Sequence, residues 1–285
     1  MSISCKQISK TYGSVKALQQ VDIHCESGEI CGIVGANGAG KTTLFKILLG
    51  LITADSGEIN IDSFGKKKAG GIIEKPAFYE YLNAHDNIKV FAKMQDAPYD
   101  KKSIIQNLEQ VGLPIDRTDP VRNFSMGMKQ RLGIAIALLN NPSCLILDEP
   151  FSGLDPMGIE SFKNLIDKLA REKQLAVLIS SHIVDVLSKL CTKLYVVSHG
   201  KIVKSGNPAT LISQNTNAYT ICGPKITSSA VIKNYQVVSV GDCVTISIAT
   251  EDISPLLQLL AAENTLITSC TPIVDLKQLF ESVGS

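Results

Sequence analysis

Residues 35–42, Gly-Ala-Asn-Gly-Ala-Gly-Lys-Thr, fit the spacing G-x-x-x-x-G-K-T. An apolar run from Ile30 to Val34 precedes them, and a helical pattern from Thr42 to Leu51 follows, with Leu44, Ile47, Leu48 and Leu51 on one face. Strand, glycine loop and helix in that order leave few folds open. Glycines let the backbone curl until successive N–H groups converge, and a helix N-terminus adds its partial positive charge at the same point. Such a loop cradles a phosphate chain. Its candidate contacts are Gly35, Ala36, Asn37, Gly38, Ala39, Gly40, Lys41, Thr42 and Thr43. Lys41 would reach the β- and γ-phosphates, and the Thr42 hydroxyl would bind Mg²⁺.

A second run, Leu145-Ile146-Leu147, ends in Asp148-Glu149. It predicts a buried parallel strand delivering two carboxylates at its C-terminal end, where open α/β sheets bind ligands. Asp148 is placed to hold Mg²⁺, through water. Glu149 is placed to polarise an attacking water, a role worth roughly 10²–10⁴ in rate.

The order of elements follows from periodicity. Strands are expected at Ile3 to Ile8, Val21 to Cys25 and Ile30 to Val34, then at Ile59 to Ile61 and Gly71 to Ile73. A helical block fills residues 75 to 141, with helices marked by Ile88, Phe91, Ala92 and Gln95, by Ile104, Ile105, Leu108 and Val111, and by Leu132 to Leu139. Strands return at Leu145 to Leu147, Ala176 to Ile179 and Leu194 to Val197, alternating with helices near 157–171 and 183–190. This alternation implies a mainly parallel sheet. The expected fold is therefore α/β, with the helical block inserted between two halves of one parallel-sheet core. The polar stretch Ser213-Gln214-Asn215-Thr216-Asn217 reads as a linker ending a first domain, 1–213. Residues 214–285 read as a small α+β domain: strand 219–222, helix 228–233, strands 237–240 and 244–248, helix 255–262, strand 266–270 and helix 276–283. The order βαββαβ is that of a ferredoxin-like unit.

Composition excludes several classes. Net charge is +1, so no global field draws the chain to nucleic acid or anionic lipid. The N-terminus has no apolar signal core, and no stretch approaches the roughly 18 apolar residues that span a bilayer. The eight cysteines are scattered without a C-x-x-C pair, and no histidine stands at ligand spacing, so reduced core thiols in the cytoplasm are expected.

Phe124-Ser125-Met126-Gly127-Met128-Lys129-Gln130-Arg131, shortly before the run that ends in Asp148-Glu149-Pro150, completes a resemblance. Over residues 1 to about 213 the chain resembles the nucleotide-binding subunit of an ATP-binding-cassette (ABC) transporter. The resemblance implies a RecA-like P-loop NTPase core with an N-terminal antiparallel β region and the inserted helical subdomain, acting as an ATPase that uses ATP and Mg²⁺. Two cassettes, a homodimer or pseudo-dimer, would meet head to tail, each ATP lying between one glycine loop and the partner's signature. Ser125 and Gly127 match the signature positions that contact the γ-phosphate; Ser125 would cap the helix beginning near Met126. His182, after Ser180-Ser181, matches a histidine that contacts the γ-phosphate. Gly153-Leu154-Asp155 matches the loop coupling the two sites, and Tyr12 the aromatic that stacks on adenine. Residues 78–82, Phe-Tyr-Glu-Tyr-Leu, stand where a membrane partner's coupling helix docks.

Two departures stand out. Met126 and Met128 replace a glycine and the glutamine of the usual Leu-Ser-Gly-Gly-Gln. Glu74 stands where most members carry a glutamine that touches Mg²⁺. Residues 70–79, residues 124–135 and the tail Asp275-Leu276-Lys277-Gln278-Leu279-Phe280 resemble the bacitracin and lantibiotic self-immunity exporters. The implied function is the ATPase of an exporter whose permease is a separate membrane chain, held at the cytoplasmic face, with no nucleic-acid partner. The alternative is a cassette that transmits a signal or mechanical change to a membrane partner without transport.

Overall fold

The computed structural model describes residues 2–63, 67–275 and 279–280. The chain divides into two compact units, Met1–Ser205 and Gly206–Ser285.

The first unit begins with β1 (Ile3–Tyr12) and β2 (Val15–Cys25), an antiparallel hairpin turning at Gly13, then β3 (Ile30–Val34), α1 (Lys41–Leu48), β4 (Ser56–Ile61) and β5 (Ala69–Ile72). Next come the inserted helices α2 (Ala84–Met94), α3 (Lys101–Glu109) and α4 (Met126–Ala137). The core then resumes with β6 (Cys144–Leu147), α5 (Pro156–Lys173), β7 (Ala176–Ser181), α6 (Val184–Leu190), β8 (Lys193–Ser198) and β9 (Lys201–Gly206). Six strands form one sheet in the order β5-β6-β7-β3-β8-β9, with β5 through β8 parallel. Every residue of β3, β6 and β7 is buried, as apolar strands covered on both faces require. A separate antiparallel sheet runs β2-β1-β4.

Local signals set the helices. α5 starts at Asp155, whose carboxylate accepts the Gly158 N–H, with Pro156 at the first helical position. It buries Phe162, Leu165, Ile166, Leu169 and Ala170, one stripe at helical spacing. α1 stops three residues before the expected Leu51. Gly50 adopts φ 71° and the Leu51 N–H returns to the Lys46 carbonyl, which turns the chain and leaves Leu51 62% exposed.

The second unit contains α7 (Pro208–Gln214), β10 (Thr216–Cys222), β11 (Val237–Val240), β12 (Cys243–Ser247), α8 (Thr250–Ala262) and β13 (Ser269–Val274). Its antiparallel sheet runs β11-β12-β10-β13, and Leu256 and Leu260 of α8 lie in the same apolar cluster as Ile221 and Ile246 of the sheet.

Several expectations need correction here. Residues 213–217 are no linker: α7 passes into β10 there, with Asn215 and Thr216 buried and Asn215 Nδ2 bonded to the Leu211 carbonyl. The division falls at 205/206 instead. The helix expected at 228–233 is two single 3₁₀ turns, Ile226–Ser228 and Ile232–Asn234, each burying one isoleucine. α8 begins a full turn ahead of Pro255, which stands inside the helix, and that added turn buries Ile253 on the same face as Leu256 and Leu260. The last strand runs 269–274 rather than 266–270, and the helix expected at 276–283 lies mostly outside the described residues. Cys222 and Cys243 face each other in register on β10 and β12 and form a disulfide, against the expectation of thiols throughout. Cys5, Cys25, Cys31, Cys144 and Cys191 are free and buried, as expected.

Candidate functional site

The carboxyl ends of three adjacent parallel strands, β6, β7 and β3, deliver the chemistry side by side. β3 runs into the glycine loop. Two of its glycines have no substitute: a Cβ at Gly35 would lie 2.5 Å from the Val197 carbonyl oxygen, and Gly40 holds φ 109° with Ala17 O at 2.5 Å from such a Cβ. The Ala39 carbonyl accepts the Gly200 N–H, which fixes the loop to the β8–β9 turn. Lys41, only 6% exposed, folds back so that its ammonium donates to the Gly35 carbonyl at 2.7 Å and the Ala36 carbonyl at 3.2 Å.

From Lys41 and Thr42 a continuous polar chain crosses the strand ends. Thr42 Oγ1 donates to Asp148 Oδ2 at 2.7 Å, and Ser180 Oγ donates to Asp148 Oδ1 at 2.5 Å. The same Ser180 oxygen accepts the Glu149 N–H at 2.9 Å. Glu149 Oε2 pairs with His182 Nδ1 at 2.9 Å. Its other oxygen, Oε1, is buried and accepts no hydrogen bond among the described residues; Lys41 Nζ at 3.6 Å is an ion-pair neighbour only. Glu149 also adopts φ 48°, a left-handed conformation that costs a non-glycine residue of order 1 kcal/mol and clusters at functional sites.

A cleft of about 420 Å³ opens over the loop, lined by residues 37–43, Val15, Lys16, Ala17, Glu149 and Gly200 among others. A larger recess of about 700 Å³ elsewhere is lined by the amides of Gln106, Asn107, Gln110, Asn140 and Asn141, without a carboxylate or a glycine loop. Volume alone therefore does not locate the site; the convergence of charged and backbone groups does.

The structure brings Lys41, Thr42, Asp148, Glu149 and His182 together. Tyr12 is 48% exposed and closes the β1–β2 hairpin, beside Lys10 at 5.6 Å. Glu74 is mostly exposed at φ 60°, 3.4 Å from Lys46 Nζ of α1. Ser125 is the N-cap of α4, its hydroxyl accepting the Met128 N–H at 3.3 Å, with Gly127 in the first turn. Among the described residues no hydrogen bond joins this cap to the Lys41–His182 chain. Tyr79 and Tyr81 are exposed and meet edge to face at 6.2 Å. Ser180 is the residue of this cluster that sequence reasoning passed over. It is fully buried between two acidic residues, and the signal was a hydroxyl two positions before His182.

The donor set fits Mg²⁺: the Thr42 hydroxyl and the Asp148 carboxylate are adjacent, and Asp148, 2% exposed, is bonded to two hydroxyls and, among the described residues, to no cationic side chain. A second cluster, Cys25, Glu29 and Cys31, brings its ligand atoms within 4.8 Å of one another. Those thiols already donate to the Val177 and His24 carbonyls, and mutual contact together with burial keeps Cys25 protonated. They are core thiols.

Fold and site together define a P-loop nucleoside-triphosphatase. The ABC transporter family profile matches residues 18–152. The bacitracin transport ATP-binding protein BcrA of Bacillus licheniformis is 42% identical over 210 residues, 71% of this chain and 68% of that one. The lantibiotic transport ATP-binding protein SrtF of Streptococcus pyogenes is 39% identical over 206 residues, 70% and 89%. Among solved structures, the dimeric ABC transporter cassette MJ0796 covers 72% of this chain and 98% of its own at 25% identity and TM-score 0.64. The chain belongs to the ABC transporter family, as an ATP-binding, ATP-hydrolysing subunit. No helix among the described residues is long and apolar enough to cross a membrane.

Proposed function

We propose that two cassettes close around two ATP molecules, homodimer or pseudo-dimer, and that closure drives a separate permease at the cytoplasmic face of the membrane, expelling a membrane-active peptide antibiotic. The observation that carries the hydrolytic reading is the chain Thr42–Asp148–Ser180–Glu149–His182, with Glu149 Oε1 buried and unpartnered beside Lys41. Thr42 and Asp148 would hold Mg²⁺, with Glu74 a further candidate ligand; bound there, the ion neutralises charge on the phosphates. The glycine loop and Lys41 grip the triphosphate. Glu149 Oε1 is the acceptor for a proton of the attacking water, and His182 steadies the carboxylate through Oε2. Tyr12 offers a ring face to the adenine. Ser125 and Gly127 act on the partner's nucleotide, with the free N–H groups of α4 facing its γ-phosphate. The peptide cargo follows from the bacitracin and lantibiotic transport relatives. Residues 206–285 act as an accessory domain.

Replacing Glu149 by Gln keeps the shape and removes the base. The expected result is ATP binding, hydrolysis down by 10²-fold or more, and an ATP-dependent dimer in ultracentrifugation. Turnover at the wild-type rate would overturn the assignment. Isolating the tagged chain from its own cells in mild detergent tests the partner: a polytopic membrane protein in equal amount is expected, and a soluble or single-span partner instead would refute transport.

A further inference from the structure

The signature of this chain departs from the family pattern at Met126 and Met128, and the structure supplies an unusual neighbour to the second. Arg117 lies in the segment between α3 and the 3₁₀ turn Val121–Asn123. Its guanidinium makes three contacts at once. Nε and Nη2 fork onto the Asp119 carboxylate, Nη2 at 3.0 Å from Oδ2. Its plane sits 4.8 Å above the ring of Phe124. Nη1 donates to the Met128 thioether at 3.2 Å.

Those contacts bracket Ser125. Phe124 is its immediate neighbour, buried and held by the bond from its N–H to the Val121 carbonyl. Met128 is the residue whose N–H donates to the Ser125 hydroxyl and so closes the cap. One guanidinium therefore touches both ends of residues 124–128, the cap and first turn of α4 that carry Ser125 and Gly127. The methionine side chain has no donor and only a weak acceptor, so side-chain hydrogen bonding by residue 128 itself does little to fix this turn. The Arg117 charge is matched by Asp119, which suits a strut better than a phosphate ligand.

We propose that Arg117 is a positioning residue for the signature: it fixes the angle at which Ser125 and Gly127 meet the partner's ATP. This rests on the head-to-tail sandwich proposed above. Arg117 touches none of the groups that bind the chain's own nucleotide, so its loss should spare binding and impair closure. These contacts lie within the chain, so their loss acts through the fraction of chains whose cap is correctly placed, and a fraction lowered about tenfold weakens dimerisation by the same factor.

The test uses the full-length chain carrying Glu149→Gln, with and without a second change. Two quantities are read: affinity of the single subunit for a fluorescent ATP analogue, and the ATP-dependent monomer–dimer constant by ultracentrifugation. Arg117→Gln is expected to leave the first within twofold and weaken the second about tenfold. Arg117→Lys, which keeps charge but loses the fork, should fall between the two. Met128→Leu, which keeps volume but removes the sulfur acceptor, should weaken dimerisation by less than Arg117→Gln. Unchanged dimerisation in Arg117→Gln overturns the proposal. So does a parallel loss of ATP affinity and thermal stability, which would make Arg117 a fold residue only. If the Glu149→Gln parent itself forms no dimer with ATP, the sandwich reading fails and this inference falls with it.

Discussion

Replacing Ser180 by Ala tests the buried connection between the two acidic residues. The hydroxyl is inaccessible to solvent and makes two bonds, donating to Asp148 Oδ1 at 2.5 Å and accepting from the Glu149 N–H at 2.9 Å. A bond to a charged carboxylate contributes about 1.5–3 kcal/mol, and a buried N–H left without a partner costs about 1–3 kcal/mol. The two overlap, because both pass through one oxygen, so about 3 kcal/mol is the expected loss. In a unit of this size each kcal/mol moves Tm by about 2–4 °C, giving a fall of roughly 6–12 °C. Activity should fall further than stability alone explains. The bond from its N–H is one of the ties that hold Glu149 at φ 48°, and released from Ser180 its carboxylate is expected to shift from its place beside Lys41. A displacement near 1 Å costs up to about 10² in rate. Calorimetry and phosphate release on the purified chain read both quantities, while ATP affinity, set by the glycine loop, should stay within twofold. A Tm within 2 °C of the parent and hydrolysis within about twofold would refute the argument.

Lys67 is a partly buried amine whose neighbours are the Gln95 side-chain oxygen and the Ala137 carbonyl, and burial depresses its pKa from 10.5 to about 8. The unfolded chain therefore binds more protons than the folded one between pH 8 and 10.5, and Lys67 adds stability as pH rises through that window. Lys67→Met should flatten this rise in urea titrations; a curve parallel to the parent's would sink the idea. Gly40→Ala forces a Cβ to 2.5 Å from the Ala17 oxygen at φ 109°, so nucleotide affinity by fluorescence titration should drop at least tenfold, and a normal affinity would show the loop to be more compliant than its packing implies.

How much of this was legible depended on the range of the interaction concerned. The glycine loop and the Asp148-Glu149 pair are local patterns: each needs one strand and its C-terminal end, so spacing along the chain located them. Ser180 could not be assigned in the same way. Its role exists only because β7 lies next to β6, and that adjacency comes from sheet order rather than from periodicity. The Cys222–Cys243 disulfide was missed for a similar reason, since residues 21 positions apart become opposite neighbours only once β10 and β12 take their register. Boundaries went wrong where polar sequence is buried. Asn215 looked like linker because its amide is polar, yet that amide is spent on the carbonyl of Leu211.

The two methionines of the signature gain a physical role from the same geometry. Met126 lies against the turn that follows Glu149: a Cβ built on Gly153 would sit 3.6 Å from its Cε, and one on Gly127 would sit 3.8 Å from the Leu154 side chain. That turn is itself rigid, the Ser152 N–H returning to the Glu149 carbonyl and the Leu154 N–H to Phe151. On the proposed sandwich, Glu149 faces the chain's own ATP and Ser125 the partner's. Residues 149–154 with Met126 then form a short packed path between the carboxylate and the signature of the same chain. A glycine at 126 would have no side chain to make that contact. This chain's departure from the family pattern at 126 thus adds packing between the signature and that turn, while the backbone N–H groups at the start of α4, which in the proposed sandwich would meet phosphate by charge and geometry rather than by side-chain identity, are unaffected.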